Sequence, residues 1–190
     1  MREIHLYSMS TGVYEGSGKY LQVNYAMVET PHGNVFFAES CDRIVHLALT
    51  DDMEKELEYF QSRWSLTKPN YNLSLCQRLA DSIFKSDKKE NDVRLLLLGN
   101  DFQISVWTEL TRIPEGTVVS YSEIAERIGR PNTARFVANA VVENPVAYLI
   151  PCHRVVRANG TLGTYRCGEE SKRNLLESEG CDLSQLSLVV

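Results

Sequence analysis

The run Pro151-Cys152-His153-Arg154 places a potential nucleophile, a potential base and a cation side by side. A thiol attacks well only as a thiolate, and a free cysteine with a pKa of about 8.5 is mostly protonated at neutral pH. A neighbouring imidazole and a positive charge favour the reactive form. Because apolar residues flank the run on both sides, the pattern predicts a buried, strand-like segment. A lone buried cysteine more often packs as a small apolar residue, so the run alone leaves both interpretations open.

The composition predicts a globular protein without a membrane span. The chain has 190 residues, 43% hydrophobic and 24% charged, enough for one domain or two small ones. No apolar run approaches the roughly 20 residues that cross a bilayer, and the N-terminus has no signal-peptide core. Five cysteines, an odd number without a C-x-x-C pair, argue against a disulfide framework. We therefore expect a cytoplasmic protein, or a nuclear one in a eukaryote, with no membrane partner.

Positive charge is concentrated in one stretch of an otherwise acidic chain. The net charge is −5, which does not indicate nucleic-acid binding. Between residues 127 and 173, however, eight cations face only three acids, a net charge of +5 for that stretch. A basic stretch of this kind suits a local polyanion site, and it equally suits a solvated mixed surface.

The first hundred residues predict a small α/β domain. Residues 1–20, which contain several Gly and Ser, predict a loosely ordered, flexible arm. Alternating β-branched and aromatic residues predict strands over 21–30, 35–40, 44–49 and 93–98. Apolar periodicity predicts one helix capped by Thr50 and running to residue 64, and a second over 73–84.

From residue 101 the pattern changes to helices. Ser120 and Glu123 form a capping box that starts a short helix ending near residue 129, and a second helix is predicted over 133–142. Two short helices joined by a glycine-containing turn are a helix-turn-helix candidate. A final helix is predicted over 169–179. We therefore expect an α/β (α+β) fold, with an N-terminal domain over 1–100 and a mainly helical domain over 101–190.

Several short motifs between residues 101 and 180 occur together in the order and spacing of one family. The motifs are Phe102-Gln103 with Val106-Trp107, Ile113-Pro114-x-Gly116, Ser120-Tyr121-x-x-Ile124-Ala125, Ile128-Gly129-x-Pro131, Ala134-Arg135-x-Val137, Asn144-Pro145, Ile150-Pro151-Cys152-His153-Arg154-Val155, Gly160-x-Leu162, Tyr165-x-x-Gly168, Lys172, Leu175-Leu176 and Glu179. This half of the chain resembles the O6-alkylguanine-DNA alkyltransferases, and its residues 157–162 are similar to bacterial-type members. Residues 1–100 resemble the family only in the order of strands and helices.

The resemblance implies a direct and irreversible repair reaction at Cys152. The thiolate would take the alkyl group from O6 of a damaged guanine, with O4-alkylthymine as a further substrate. Displacement at an unactivated alkyl carbon needs a strong, soft nucleophile, which a thiolate supplies. His153 would act as base through a water, and Glu179 would orient and stabilise the imidazole, as the acid does in a triad. Asn144 would brace the cysteine segment, and Tyr121 would donate a proton toward the leaving guanine.

The resemblance also implies a partner, double-stranded DNA that contains O6-alkylguanine and is bound through its minor groove. Reaching O6 inside a duplex requires base flipping, and Arg135 matches the residue that replaces the extruded base in the stack. The other expected DNA contacts are Ser120, Tyr121, Thr133 and Ala134. The expected walls of the base pocket are Tyr121, Val155, Tyr165 and Arg166. We expect a monomer that needs no cofactor, nucleotide or metal.

Some residues depart from the family pattern. Gly163-Thr164-Tyr165 replaces the Ser-Gly-Tyr order common in bacterial-type members, and Cys167 stands where many have Trp. Phe136 and Ala138 replace smaller residues on the second helix of the helix-turn-helix. These changes affect the shape of the pocket, and hence its tolerance of bulky alkyl groups, but not the reaction.

A structural zinc is not expected either. Cys41 and His46 fall roughly where two ligands lie in those family members that hold zinc in the N-terminal domain. Counterparts of the other two ligands are not found, and a tetrahedral zinc site needs four.

Three other functions fit part of the same pattern. An alkyltransferase-like protein that binds damaged bases without repairing them usually has Trp in place of the cysteine, whereas Cys152 is present here. A helix-turn-helix regulator with a sensor thiol would carry a separate regulatory domain, which residues 1–100 do not resemble. A Cys-His hydrolase would need an oxyanion-hole signature, and none is found in the sequence.

Overall fold

Residues Met1–Asn100 fold around a six-stranded sheet in the computed structural model, which describes residues 3–85 and 92–183. The strands are β1 (Ile4–Met9), β2 (Asn24–Thr30), β3 (Gly33–Ser40), β4 (Arg43–Leu49), β5 (Asn70–Tyr71) and β6 (Val93–Leu98). They lie in the order β1-β6-β4-β3-β2-β5. β2, β3 and β4 form an antiparallel meander, whereas β1 pairs with β6 in parallel. The mixed α/β class predicted from the sequence is confirmed.

Three helices accompany this sheet, namely α1 (Thr11–Ser17), α2 (Met53–Arg63) and α3 (Leu73–Phe84). The predicted helix over 73–84 and strand over 93–98 are confirmed by α3 and β6. The predicted cap at Thr50 was wrong, because the side chain of Asp52 accepts the hydrogen bond from the Lys55 amide and α2 begins after it. The core of this unit is aromatic and includes the fully buried rings of Phe36, Phe60 and Trp64.

The prediction of a loose arm over residues 1–20 was wrong for residues 4–20, and residues 1 and 2 lie outside the described part of the chain. β1 pairs with β6 along its whole length, from Ile4 beside Val93 to Met9 beside Leu98. Ser10 caps α1, and the buried ring of Tyr14 packs edge-on against Trp64. The partner of this segment therefore lies far away in the sequence, where local composition gives no sign of it.

The two residues considered as zinc ligands differ sharply in their surroundings. Cys41 is exposed in the turn after β3, with a positive φ, whereas the His46 side chain is fully buried and hydrogen-bonded to Glu56 at 2.6 Å. Among the described residues, the grouped side chains that could share an ion are Glu3, His5 and Asp92. No helix in the described parts of the chain is long and apolar enough to cross a membrane.

The second unit, Asp101–Val190, is mainly helical. Its helices are α4 (Asp101–Leu110), α5 (Tyr121–Arg127), α6 (Ala134–Val142) and α7 (Glu169–Ser178), and its two short strands are β7 (Val119–Ser120) and β8 (Val155–Val156). The indole N–H of Trp107 donates to the Ala140 carbonyl at 2.7 Å, which anchors α6 on α4. The predicted capping box is confirmed, because Ser120 and Glu123 each bond the other's backbone N–H.

α5 and α6 pack against each other across a tight turn. Gly129 and Asn132 both have positive φ in this turn, a conformation that glycine and asparagine adopt more readily than other residues. α6 buries Val137, Ala140 and Val141 and leaves Arg135 exposed. The second helix of the pair thus presents a cation to solvent while its other face completes the core.

Candidate active site

Cys152 lies in a buried 3₁₀ turn, Cys152–Arg154, directly before β8. The sequence predicted the burial, but the predicted strand-like conformation was wrong at these three residues. The Arg154 amide donates to the Pro151 carbonyl and closes the turn before the chain becomes extended at Val155. Because β8 pairs in parallel with β7, this turn is fixed close to the start of α5.

Asn144 holds the thiol in place. Its side-chain amide donates to Cys152 Sγ at 2.9 Å and to the Ile150 carbonyl at 2.8 Å. Its carbonyl oxygen accepts from the Val146 amide at 3.0 Å, so the side chain is bonded at both ends. Since only 2% of Asn144 is exposed, these bonds are shielded from water and position the sulfur firmly.

The thiol of Cys152 is protonated at neutral pH in this resting arrangement. Burial raises its pKa to about 11, while the hydrogen bond from Asn144 and the positive charges of Lys172 and Arg166 act in the opposite direction. The buried thiol therefore needs a base to take its proton at the moment of attack.

His153, the next residue in the chain, carries an imidazole that can accept a proton. Its Nε2 lies 2.8 Å from Glu179 Oε1, and the imidazole is fully buried. Burial lowers the pKa of His153, although the hydrogen bond and charge of Glu179 oppose that shift, so the ring is neutral. Its Nδ1 is buried and has no hydrogen-bond partner within residues 3–85 and 92–183.

The state of Glu179 fixes the tautomer of this imidazole. Burial alone would raise the pKa of Glu179, but hydrogen bonds and charges from His153 and Arg154 lower it to about 2. Arg154 donates to both carboxylate oxygens, at 2.9 and 2.7 Å. An ionised carboxylate only accepts hydrogen bonds, so Nε2 must donate and Nδ1 must carry the lone pair. The Nε2 of His153 is thus bonded to Glu179, and its Nδ1 carries a lone pair that can accept a proton.

Tyr121 provides a neutral phenol near the thiol. Burial raises its pKa, with the charge of Arg157 opposing the shift and that of Cys152 adding to it. Gly163, at a φ of +71°, allows this placement, because a Cβ there would come within 2.7 Å of Tyr121 Oη. The glycine that departs from the bacterial-type pattern is therefore the residue against which the phenol lies.

Lys172 was part of the recognised motifs, but sequence reasoning assigned it no role. Its side chain is fully buried, and its ammonium group donates to the Val155 carbonyl at 2.6 Å and to the Leu162 carbonyl. Burial lowers its pKa to about 8, against the charge of Cys152, which raises it. Its spacing i, i+3, i+4 with Leu175 and Leu176 indicated a buried face of α7. A lysine on such a face was the feature of the sequence that could have identified Lys172 as a buried, bonded side chain.

The residues expected to line the base pocket are buried or partly buried. Val155 is fully buried and Tyr165 is 8% exposed, while Arg166 is partly buried. Burial, with the nearby thiols of Cys152 and Cys167, raises the pKa of Tyr165 well above its ordinary value. A second thiol therefore does lie in the neighbourhood of the first.

The predicted site residues thus form two groups. Asn144 bonds the sulfur of Cys152, and Tyr121 lies close enough for the charge of Cys152 to affect its pKa. His153 follows Cys152 in the chain and pairs with Glu179. The expected DNA contacts belong to the helix-turn-helix instead: Ser120 caps α5, Thr133 and Ala134 begin α6, and Arg135 follows on its exposed face. Tyr121, as first residue of α5, belongs to both groups.

Comparisons with known proteins indicate the family of the chain. Residues 101–181 match a family model described as the DNA-binding domain of 6-O-methylguanine DNA methyltransferase. The methylated-DNA–protein-cysteine methyltransferase of Mycobacterium bovis is 36% identical over 157 residues, which cover 83% of this chain and 92% of that protein. The bifunctional transcriptional activator and DNA repair enzyme Ada of Escherichia coli is 34% identical over 174 residues. That match covers 90% of this chain but spans only about half (49%) of the length of Ada.

A solved structure shows the same fold. The crystal structure of Mycobacterium tuberculosis OGT in complex with DNA matches with a TM-score of 0.64 and 33% sequence identity. The match covers 85% of this chain and 94% of that one, so it includes both units.

Proposed function

The chain belongs to the methylated-DNA–protein-cysteine methyltransferase family, and we propose that it repairs O6-alkylguanine in DNA by moving the alkyl group to Cys152. One observation carries the proposal. A buried thiol, braced by Asn144, is followed directly in the chain by a neutral imidazole whose Nε2 is held by an ionised carboxylate. This arrangement suits a nucleophile that is activated only when it reacts.

The reaction balances without a cofactor. The lone pair of His153 Nδ1 takes the thiol proton through a water, and Glu179 stabilises the imidazolium. The sulfur forms a bond to the alkyl carbon while the bond between that carbon and O6 breaks. Tyr121 gives a proton to the leaving guanine and regains one from solvent water, while His153 releases the thiol proton to solvent. Overall one proton moves from the thiol to the guanine, and both side chains return to their starting states. The carbon–sulfur bond of the resulting thioether is not cleaved under these conditions. Cys152 therefore stays alkylated, and each molecule reacts once. O4-alkylthymine presents the same alkyl–oxygen bond and is a further substrate.

The proposed partner is DNA, since the alkylated base is part of it. We propose that α6 lies in the minor groove and that Arg135, exposed near its start, fills the space left by the flipped base. Val155, Tyr165 and Arg166 then wall the pocket that receives the base. The protein acts as a monomer, and a cytoplasmic or nuclear location suits a DNA substrate and a reactive free thiol.

The test of the reaction is the mass of Cys152 after incubation with a duplex that contains O6-methylguanine. We expect one methyl group on the peptide carrying Cys152, in a one-to-one ratio to DNA repaired. Cys152→Ser should leave protein and lesion unchanged, and Cys41→Ser, which alters an exposed thiol of the other unit, should react as the wild type does. Repeated turnover, or a methyl group on any other residue, contradicts the proposal. The same result separates the three alternatives, since neither a damaged-base binder, a thiol-sensing regulator nor a hydrolase forms a methyl thioether.

The test of base flipping compares two substrates of one variant. Arg135→Ala should slow repair of duplex DNA by on the order of a hundredfold, because the extruded base loses its replacement in the stack. Reaction with free O6-benzylguanine, which needs no flipping, should change less than about threefold. Equal losses on both substrates would contradict the assigned role of Arg135.

A further inference from the structure

Phe136 is an aromatic residue that the packing of its own unit does not use. Of its surface, 65% is exposed, although it lies in the first turn of α6 beside buried Val137. Single exposed apolar residues are common on protein surfaces and by themselves indicate nothing. The position of Phe136 sets it apart, because it directly follows Arg135 on the helix assigned to DNA.

The exposed face of α6 is defined by three side chains. Arg135, Phe136 and Asn139 are exposed, whereas Val137, Ala140 and Val141 are buried. Consecutive helical residues point about 100° apart, and residues three positions apart lie side by side on one face. Measured around the helix from Arg135, Asn139 lies at about 40° and Phe136 at about 100°. Phe136 therefore forms the edge of the exposed surface, next to the buried side of α6.

Phe136 is exposed to water, while the opposite side of α6 is packed in the core. Trp107 anchors the carbonyl of Ala140 one turn later, and Val137 and Ala140 fix the opposite face in the core. An aromatic ring held outward on a rigid helix matches the apolar wedges with which minor-groove proteins unstack base steps.

We propose that Phe136 is a second DNA wedge, which packs its ring against the bases or sugars beside the gap that Arg135 fills. This inference rests on the proposed function and adds a specificity-determining residue to it. Extrusion of one nucleotide exposes the faces of its neighbours, and an aromatic ring covers more of such a face than the small residues common at this position. Phe136 would thus stabilise the distorted duplex without touching the reacting atoms.

Because the ring of Phe136 is uncharged, the salt dependence of DNA binding distinguishes a wedge from a phosphate contact. Binding through Lys or Arg releases counterions, so the affinity falls steeply with salt concentration, whereas an uncharged wedge releases none. Loss of Phe136 should therefore lower affinity equally at low and high salt. Loss of Arg135 should make the salt dependence shallower.

The experiment compares Phe136→Ala with two matched variants. Phe136→Trp keeps an aromatic ring, and Tyr71→Ala removes a comparably exposed aromatic (53% exposed) from the other unit. Three quantities are measured for each: affinity for a lesion-containing duplex over a series of salt concentrations, the rate of Cys152 alkylation by that duplex, and the rate with free O6-benzylguanine.

We expect Phe136→Ala to weaken duplex binding and sub-saturating repair by about tenfold, the scale of one aromatic–base contact, with an unchanged salt slope. Phe136→Trp should retain wild-type behaviour, and all variants should react with the free base at the wild-type rate. A duplex affinity of Phe136→Ala equal to that of Tyr71→Ala would overturn the proposal, as would an equal loss on the free base. A wild-type protein that binds duplex but leaves Cys152 unmodified would overturn the proposed function instead, so the two failures are distinguishable.

Discussion

The two units each contain a buried histidine paired with a glutamate, and only one of these pairs adjoins a nucleophile. His46 of β4 lies 2.6 Å from Glu56 of α2, and His153 lies 2.8 Å from Glu179. Both imidazoles are fully buried, and the two carboxylate side chains are 12% and 11% exposed. Burial and pair geometry therefore do not distinguish a structural pair from a catalytic one.

The surroundings of the two rings do differ. The ring centroid of His46 lies 5.6 Å from those of Phe36 and Phe60 and 6.0 Å from that of Tyr59, so the imidazole completes an aromatic core. His153 instead directly follows Cys152, and its Glu179 is also bound twice by Arg154. Of the two pairs, only that of His153 directly follows a thiol in the chain, and this is why we assign the role of proton acceptor to His153.

The largest expected difference between the pairs is in the rate of alkyl transfer. Glu179→Gln removes the charge that stabilises the imidazolium, so the reaction of Cys152 with O6-benzylguanine at neutral pH should slow on the order of a hundredfold. Formation of the thiolate becomes less favourable, and the pH–rate profile should move to higher pH. Glu56→Gln, the matched change in the other pair, should alter the rate less than about twofold.

Both variants need a stability control, because each alters a buried hydrogen-bonded pair. We expect each to lower the free energy of unfolding by about 1–3 kcal/mol, measured by denaturant titration. The rates are then compared at a temperature at which both variants are fully folded. Equal rate losses in the two variants, or a pH–rate profile of Glu179→Gln that stays in place, would contradict the distinction between the pairs.

The sequence predicted the residues around the thiol better than their conformation. Cys152 and His153 were expected on an extended strand, but the Pro151 carbonyl closes a 3₁₀ turn there. That turn depends on the pairing of β8 with β7, a contact between residues some 35 positions apart, which local patterning does not reveal. The capping box of α5 and the span of α3 were predictable because each depends on neighbours within four residues.

Long-range partners explain the other differences. Residues 4–9 have a mixed burial pattern and become a strand only because β6 lies beside them. The pairing of His46 with Glu56 likewise needs the packing of α2 on the sheet, so the sequence indicated only a candidate metal ligand at position 46. Lys172 was visible as a charge on an apolar face, but its two carbonyl acceptors belong to segments 10 and 17 residues earlier.

The smallest expected effect concerns stability at acid pH, and it tests the two hydrogen bonds that Arg154 donates to Glu179. The pKa of Glu179 is about 2 in the folded protein, against an ordinary value of 4.5, so the folded state prefers the ionised carboxylate. The resulting stabilisation is fully present above about pH 4.5 and is lost as the pH falls toward 2. Nuclear magnetic resonance of carboxyl-labelled glutamates, assigned with Glu179→Gln, should show Glu179 titrating near pH 2. In Arg154→Met, two hydrogen bonds to the carboxylate are lost, so its midpoint should rise toward the ordinary value. A midpoint that stays near 2 in that variant would mean that His153 alone holds the charge, and the contacts of Arg154 would then not distinguish this pair from that of His46 and Glu56.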